Sequence, residues 1–200
     1  YNGEKIKIST TSTGIGCPSA AICIEELANI GAKVFIRVGT AGSLQRYVKL
    51  GDIVISTAAV REDGASRQYV PLSYPAVASI EVVNALKTAA EKLKLRYHTG
   101  ITHCKDAFYT EPMPGYKGCL PLEDYHKQLW KVWQKSNVVA TSMEASVLFV
   151  IGSIRKLYVG EVLAVIGSTF EHKPIVAKAG VEDAIKVAIE AIKILVSQGI

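Results

Sequence analysis

Arg37-Val38-Gly39-Thr40-Ala41-Gly42 sets an arginine, a threonine and two glycines at the end of an apolar run, Val34-Phe35-Ile36. A guanidinium is a permanent, forked donor that suits phosphate better than an ammonium does. The glycines let backbone N–H groups approach, so amides and a hydroxyl can converge on one oxyanion. The same spacing equally suits an arginine salt-bridged at a strand end, with glycines serving only a turn. Thr141-Ser142-Met143-Glu144 is a second candidate. It matches the helix-opening capping box S/T-x-x-E, and it also suits a carboxylate at a site mouth that accepts hydrogen bonds from sugar hydroxyls. Phe108 and Tyr109 can stack on a base or plug the edge of a core. Gly14-Ile15-Gly16 falls short of a dinucleotide fingerprint, since Ser19 stands where the third glycine belongs.

Strand and helix patterns alternate along the elements that must position these residues. Residues 5–11 alternate like a half-buried strand. A helix follows, opened by Pro18 and closed by Gly31. The β-branched run 33–38 predicts a buried strand, 52–60 another, and 97–104 a third. Residues 75–95 carry Val77, Ile80, Val83, Leu86, Ala90 and Leu93 on one helical face. The stretch 108–122 holds Pro112, Pro114, Pro121, Gly115 and Gly118 and reads as a loop of a length that is usually functional or mobile. A helix is expected over 123–134, a short strand over 137–140, a helix over 142–157, a buried strand over 161–167 and an amphipathic helix over 181–196. With neither repeat nor linker, the chain reads as one α/β domain. In such sheets ligands collect at the carboxyl ends of the strands, which is where 38–42, 140–144 and 166–169 fall.

Composition narrows the function classes. The 200 residues are 49% hydrophobic and 20% charged, with a net charge of +5, a globular balance. Lysine and glutamate are interleaved, as in Glu91-Lys92-Leu93-Lys94, so no basic stripe forms and nucleic acid is a poor partner. Apolar runs break well before the ~20 residues of a membrane span, and Tyr1-Asn2-Gly3-Glu4-Lys5 has no signal-peptide layout. A cytoplasmic protein is expected. Cys17, Cys23, Cys104 and Cys119 lack metal-ligand spacing and read as free buried thiols; His98 and His103 fall on opposite faces of their strand, so no metal is expected.

Four segments in register resemble the purine/uridine phosphorylase family. Ser12-Thr13-Gly14-Ile15-Gly16-Cys17-Pro18-Ser19-Ala20-Ala21-Ile22 resembles its S-T-G-I-G-G-P-S-x-x-I stretch, and Arg37 to Gly42 its R-x-G-T-x-G phosphate segment. Lys105-Asp106-Ala107-Phe108-Tyr109 is similar to the base-side S-D-x-F-Y, and Ser142-Met143-Glu144-Ala145 to the ribose segment E-M-E-[SA]. The resemblance covers essentially the whole chain. It implies a mixed central β-sheet flanked by helices and phosphorolysis of a nucleoside to ribose 1-phosphate and free base. Inorganic phosphate is then the co-substrate, without an organic cofactor or metal, and the assembly a homo-oligomer, a hexamer of dimers.

By that resemblance Arg37 and Glu144 are the catalytic pair, and Arg37, Gly39 and Thr40 hold phosphate. Thr40, Ser142, Met143 and Glu144 hold the ribose. Ala41, Gly42, Phe108, Ile166 and Ser168 border the base. The departures are specific. Uridine phosphorylases place Gln and Arg just beyond the Phe-Tyr pair, where this chain has Thr110-Glu111-Pro112-Met113-Pro114. Purine-specific relatives carry an Asp after the late strand, where Gly167-Ser168-Thr169 stands, and Ser142 replaces the first Glu of the ribose segment. Ser66-Arg67-Gln68-Tyr69-Val70-Pro71 and Tyr97-His98-Thr99-Gly100-Ile101-Thr102 lean toward the uridine branch, so uridine is the expected substrate, with purine nucleosides, methylthioadenosine, nucleosidase action or non-catalytic binding as alternatives. The family opens earlier, on a G-D-P-x-R phosphate loop that does not precede Tyr1, and those N-terminal strands are expected upstream.

Overall fold

A computed structural model describes residues 7–111, 123–170 and 175–200. Helix α1 (Cys17–Asn29) starts at Gly16, whose φ of 87° only glycine adopts readily, and carries Pro18 in its first turn. It ends where the Ala32 N–H reaches back to the Leu27 carbonyl across Gly31. Strand β1 (Val34–Ser43) pairs in parallel with β6 (Tyr158–Ser168), Arg37 opposite Glu161, with a register shift between Ala41 and Gly42. Strand β2 (Ile53–Glu62) runs parallel to β4 (Tyr97–Lys105), and the two-residue β3 (Ala76–Val77) adds antiparallel to β2. Strand β5 (Ala140–Ser142) pairs in parallel with β4 and antiparallel with β1. Because β2 also pairs antiparallel with β6, the mixed sheet closes on itself as β2-β4-β5-β1-β6. Closure leaves those strands fewer open edges and points Ala41, Val48, Val54, Val139, Leu163 and Val165 into one apolar cluster.

Helices cover the sheet in two groups. Helices α3 (Ile80–Lys92) and α6 (Val181–Ser197) pack together, Val82, Leu86, Val187 and Leu195 against Ile53, Ile55 and Val162. Helices α1 and α5 (Ala145–Arg155) pack on the other side, Ile24 among Phe149, Ile151 and Val159. All of residues 145–152 are buried, so α5 is an interior helix over its first two turns. A short α2 (Ser66–Tyr69) and α4 (Glu123–Lys135) complete the set, with Trp130 of α4 packed on Leu44 and Val138.

The single α/β domain with a mixed sheet flanked by helices matches expectation; several boundaries do not. Residues 7–11 form no strand, since none of the described strands pairs with them. Helix α3 begins five residues later than its periodicity suggests, because Ala76 and Val77 pair with β2 and Ser79 Oγ accepts the Val159 N–H. Asn137, at φ 59°, ends α4 instead of opening a strand, so β5 starts at Ala140. Most consequential, the strand does not end at Val38: Gly39 to Gly42 continue it instead of turning out of it. The proline-rich residues 112–122 lie outside the described residues.

Candidate active site

Strand β1 delivers Arg37 to the middle of the sheet, where parallel register sets it beside Glu161. Arg37 Nη1 donates to Glu161 Oε1 at 2.7 Å, and Nη2 contacts Glu144 Oε2. One guanidinium therefore bridges two carboxylates, using the fork that arginine alone offers. Glu161 is fully buried. Ser56 Oγ donates to its Oε2 at 2.6 Å and shares a 2.6 Å hydrogen bond with Thr102. The Ser142 hydroxyl approaches Glu161 Oε1 at 3.5 Å. Glu144 stands just ahead of α5, 4% exposed. Its Oε1 accepts the Gly16 N–H at 2.8 Å and its Oε2 the Met143 N–H at 3.2 Å.

The glycines have individual reasons. A Cβ on Gly39 would lie 2.3 Å from Arg37 Nη1, so Gly39 lets the guanidinium cross its own strand to reach both carboxylates. A Cβ on Gly42 would press on Thr141 Cγ2 at 3.2 Å, with Glu111 Oε2 at 3.7 Å. Burial opposes charge on Arg37, but Glu161 and Glu144 outweigh it and hold the guanidinium above the usual arginine range. For Glu161 burial wins over the pull of Arg37, and its carboxyl titrates above the usual glutamate range.

Of the residues chosen from sequence, the structure gathers Arg37, Ser142 and Glu144 around Glu161. Gly39 lies beneath the guanidinium, and Met143 borders Glu144 through its amide. Thr40 is exposed, three residues further along β1. Ala41 and Gly42 neighbour Ile166 and Ser168 across the β1–β6 register, and the Ser168 hydroxyl accepts the Phe170 N–H. Phe108 is 39% exposed in a 3₁₀ turn (Phe108–Thr110), its ring at 85° to Tyr109. Thr141 does not cap α5; it lies in β5, and its Oγ1 accepts from Lys105 Nζ at 3.2 Å. The capping box fails because the Glu144 carboxylate is drawn to Arg37 and Gly16.

Sequence reasoning missed Glu161, Ser56 and Thr102. A lone glutamate in the apolar run 158–165, in register with the only arginine of β1, was the available signal. It also missed a buried cluster behind the site. Cys17 Sγ lies 3.5 Å from Cys104 Sγ, and the Ser146 hydroxyl sits between them at 3.3 and 3.1 Å while donating to Asp63. Cys17, Asp63 and Cys104 bring ligand atoms within 4.8 Å of one another, although 41 or more residues separate them in sequence. Both thiols are free, as expected, whereas Cys23 is only half-buried and Cys119 lies outside the described residues. His98 bonds Asp52 at 2.8 Å, and His103 pairs with Glu62 and stacks on Trp133.

Asp63 yields a prediction. Burial alone would raise its pKa, but hydrogen bonds from Ser146 and Ser66 outweigh burial and hold it below the usual aspartate range. A depressed carboxylate contributes stability that is full above its unfolded pKa and is lost as pH falls through its folded pKa. Melts of wild type and Asp63→Asn from pH 7 downward are expected to differ by about 1–3 kcal/mol at neutral pH. That gap should narrow below about pH 4; a constant gap would contradict it.

Among the described residues no helix is long and apolar enough to cross a membrane. The family model of the phosphorylase superfamily matches residues 1–198. A uridine phosphorylase of Thermococcus kodakarensis is 46% identical over 196 residues, 98% of this chain and 69% of that protein. One from Treponema pallidum is 42% identical over 194 residues, covering 96% and 74%. A guanosine phosphorylase of Halorubrum lacusprofundi is 34% identical over 205 residues, covering 98% and 78%.

Proposed function

The chain belongs to the phosphorylase superfamily, and on that premise we propose that it is a nucleoside phosphorylase with uridine as its favoured substrate. The observation that carries the substrate is identity of 42% and 46% to two uridine phosphorylases over nearly the whole chain. The reaction is a pentosyl transfer. A phosphate oxygen forms a bond to C1′ as the C1′–N bond breaks, and the base departs with the bonding electrons and gains a proton. Ribose 1-phosphate and uracil result. Such a step needs an anchored anion, fixed sugar hydroxyls and stabilisation of the leaving base.

The residues divide between those tasks. Arg37, with Gly39 and Thr40, receives phosphate; Ser142, Met143, Glu144 and Thr40 hold the ribose; Ala41, Gly42, Phe108, Ile166 and Ser168 border the base. What supports the first pair of roles is the contact between them. Phosphate drawing Arg37 away from Glu144 frees that carboxylate for ribose hydroxyls, so occupancy by one substrate prepares the place of the other. Glu161 stays behind, anchoring the guanidinium from below. Inorganic phosphate serves as co-substrate without metal or organic cofactor. Kinship with the family supports a cytoplasmic homo-oligomer, hexameric by resemblance. Ile15 and Ile22, 80% and 67% exposed beside and on α1, suit contact with another copy.

Incubation with a nucleoside panel, with and without phosphate, tests the reading. Uracil release from uridine only in the presence of phosphate is expected. Release without phosphate would assign a hydrolase, and no release would leave a binding protein. The guanosine phosphorylase relative gives a second reading, in which the same panel shows guanosine outcompeting uridine.

A further inference from the structure

Lys105 closes β4 and is 5% exposed, and Glu111, just past the Phe108 turn, is 8% exposed. Lys105 Nζ donates to Glu111 Oε1 and to Thr141 Oγ1, and sits 5.5 Å from the centre of the Trp130 ring. Thr141 pairs with Gly42 across β5 and β1. The other carboxylate oxygen, Glu111 Oε2, lies 3.7 Å from the point a Cβ on Gly42 would occupy. The ion pair therefore stands at the same strand ends as Gly42, Ile166 and Ser168, and Thr141, which it touches, is three residues from Glu144.

A buried ion pair contributes little net stability compared with apolar side chains of similar size, so stability is a weak reason to keep one here. This pair is also chemically unfinished. An ammonium carries three donors, of which Glu111 and Thr141 take two. Among the described residues, Glu111 Oε2 accepts from none.

Resting on the phosphorylase reading above, we propose that Lys105 and Glu111 read the edge of the nucleobase. Glu111 Oε2 accepts the ring N–H, and Lys105 donates its remaining proton to the adjacent ring carbonyl. One acceptor beside one donor matches a lactam edge, as in uracil or a 6-oxopurine. It mismatches cytosine and adenine, whose ring nitrogen would turn a lone pair to the carboxylate while an amino group meets the ammonium. Sites built to hydrogen-bond a substrate group reject analogues that leave the buried partners unpaired.

The test compares kcat/KM for uridine, 3-methyluridine and cytidine, with phosphate, in wild type and in Lys105→Met/Glu111→Leu. The double variant removes both charges, leaving none orphaned. Wild type is expected to prefer uridine to each of the others by at least ~100-fold. The double variant should lose about 100-fold on uridine and bring the three within about tenfold. If it melts before it can be assayed, Glu111→Gln gives the same answer. An amide can donate to the cytosine ring nitrogen, so the cytidine-to-uridine ratio should rise at least about tenfold. Ratios unchanged from wild type in either variant overturn the assignment while leaving phosphorolysis standing. A wild-type protein that releases no base from any nucleoside overturns the phosphorylase reading, and this one with it.

Discussion

Arg37→Met is expected to lower kcat/KM for uridine phosphorolysis by about 10³-fold or more, with the phosphate KM rising further than the nucleoside KM. Loss of one preorganised donor to developing charge costs about 10²–10³-fold, and this side chain supplies several. The effect exceeds that of an ordinary phosphate contact because the guanidinium also separates Glu144 from Glu161. Without it, two nearly buried carboxylates face each other with no cation between them. Glu161 already titrates high through burial, so removing Arg37 drives it further toward the neutral acid. Breaking a buried pair from one side costs about 3–5 kcal/mol. Thermal melts should therefore show a large loss along with the kinetic one. Arg37→Lys separates the two. It keeps the charge but gives up the fork, so stability should recover more than phosphate affinity does. Equal loss of phosphate and nucleoside affinity in Arg37→Met would refute its assignment to phosphate.

That the arginine was visible at all follows from its setting. A charge inside Val34 to Val38 is anomalous under any strand reading, and anomalies of this kind mark function or a buried pair. Sequence could not decide between them, and the structure shows why the choice was false in its terms: Arg37 is salt-bridged, and one of its partners is the other candidate, Glu144. Helix periodicity was equally legible, since α1 and α6 follow from apolar stripes and end signals within their own residues. The late start of α3 and the failed capping box both depended on distant partners. Helix α3 starts late because β2 and β6 claim the residues before it. Glu144 leaves its capping role for contacts 107 and 128 residues away in the chain, Arg37 and Gly16. Glu161 required the register of β1 and β6 to be known, and register is set by tertiary pairing that no local pattern encodes. The Lys105–Glu111 pair, six residues apart, required the turn at Phe108–Thr110.

Glu144→Gln is expected to cost about 10²–10³-fold in kcat/KM while costing less stability than Arg37→Met. The amide oxygen can still accept the Gly16 N–H that Glu144 Oε1 takes at 2.8 Å, so the start of α1 stays anchored. What disappears is the charge: the ion pair with Arg37 and the strong acceptor for sugar hydroxyls. A ribose lacking its 2′-hydroxyl already forgoes one such bond. The penalty of the substitution should then be several-fold smaller on 2′-deoxyuridine than on uridine. Because Arg37 and Glu144 touch, their effects should not add. The double variant Arg37→Met/Glu144→Gln should lose less than the product of the single losses, since the second change removes part of an interaction already broken. If Glu144 were only a structural counter-ion, Glu144→Gln would slow both nucleosides equally, and the sugar would not register the change. A deoxyribose that escapes part of the penalty places the carboxylate against the ribose, with Arg37 left to the phosphate that displaces it.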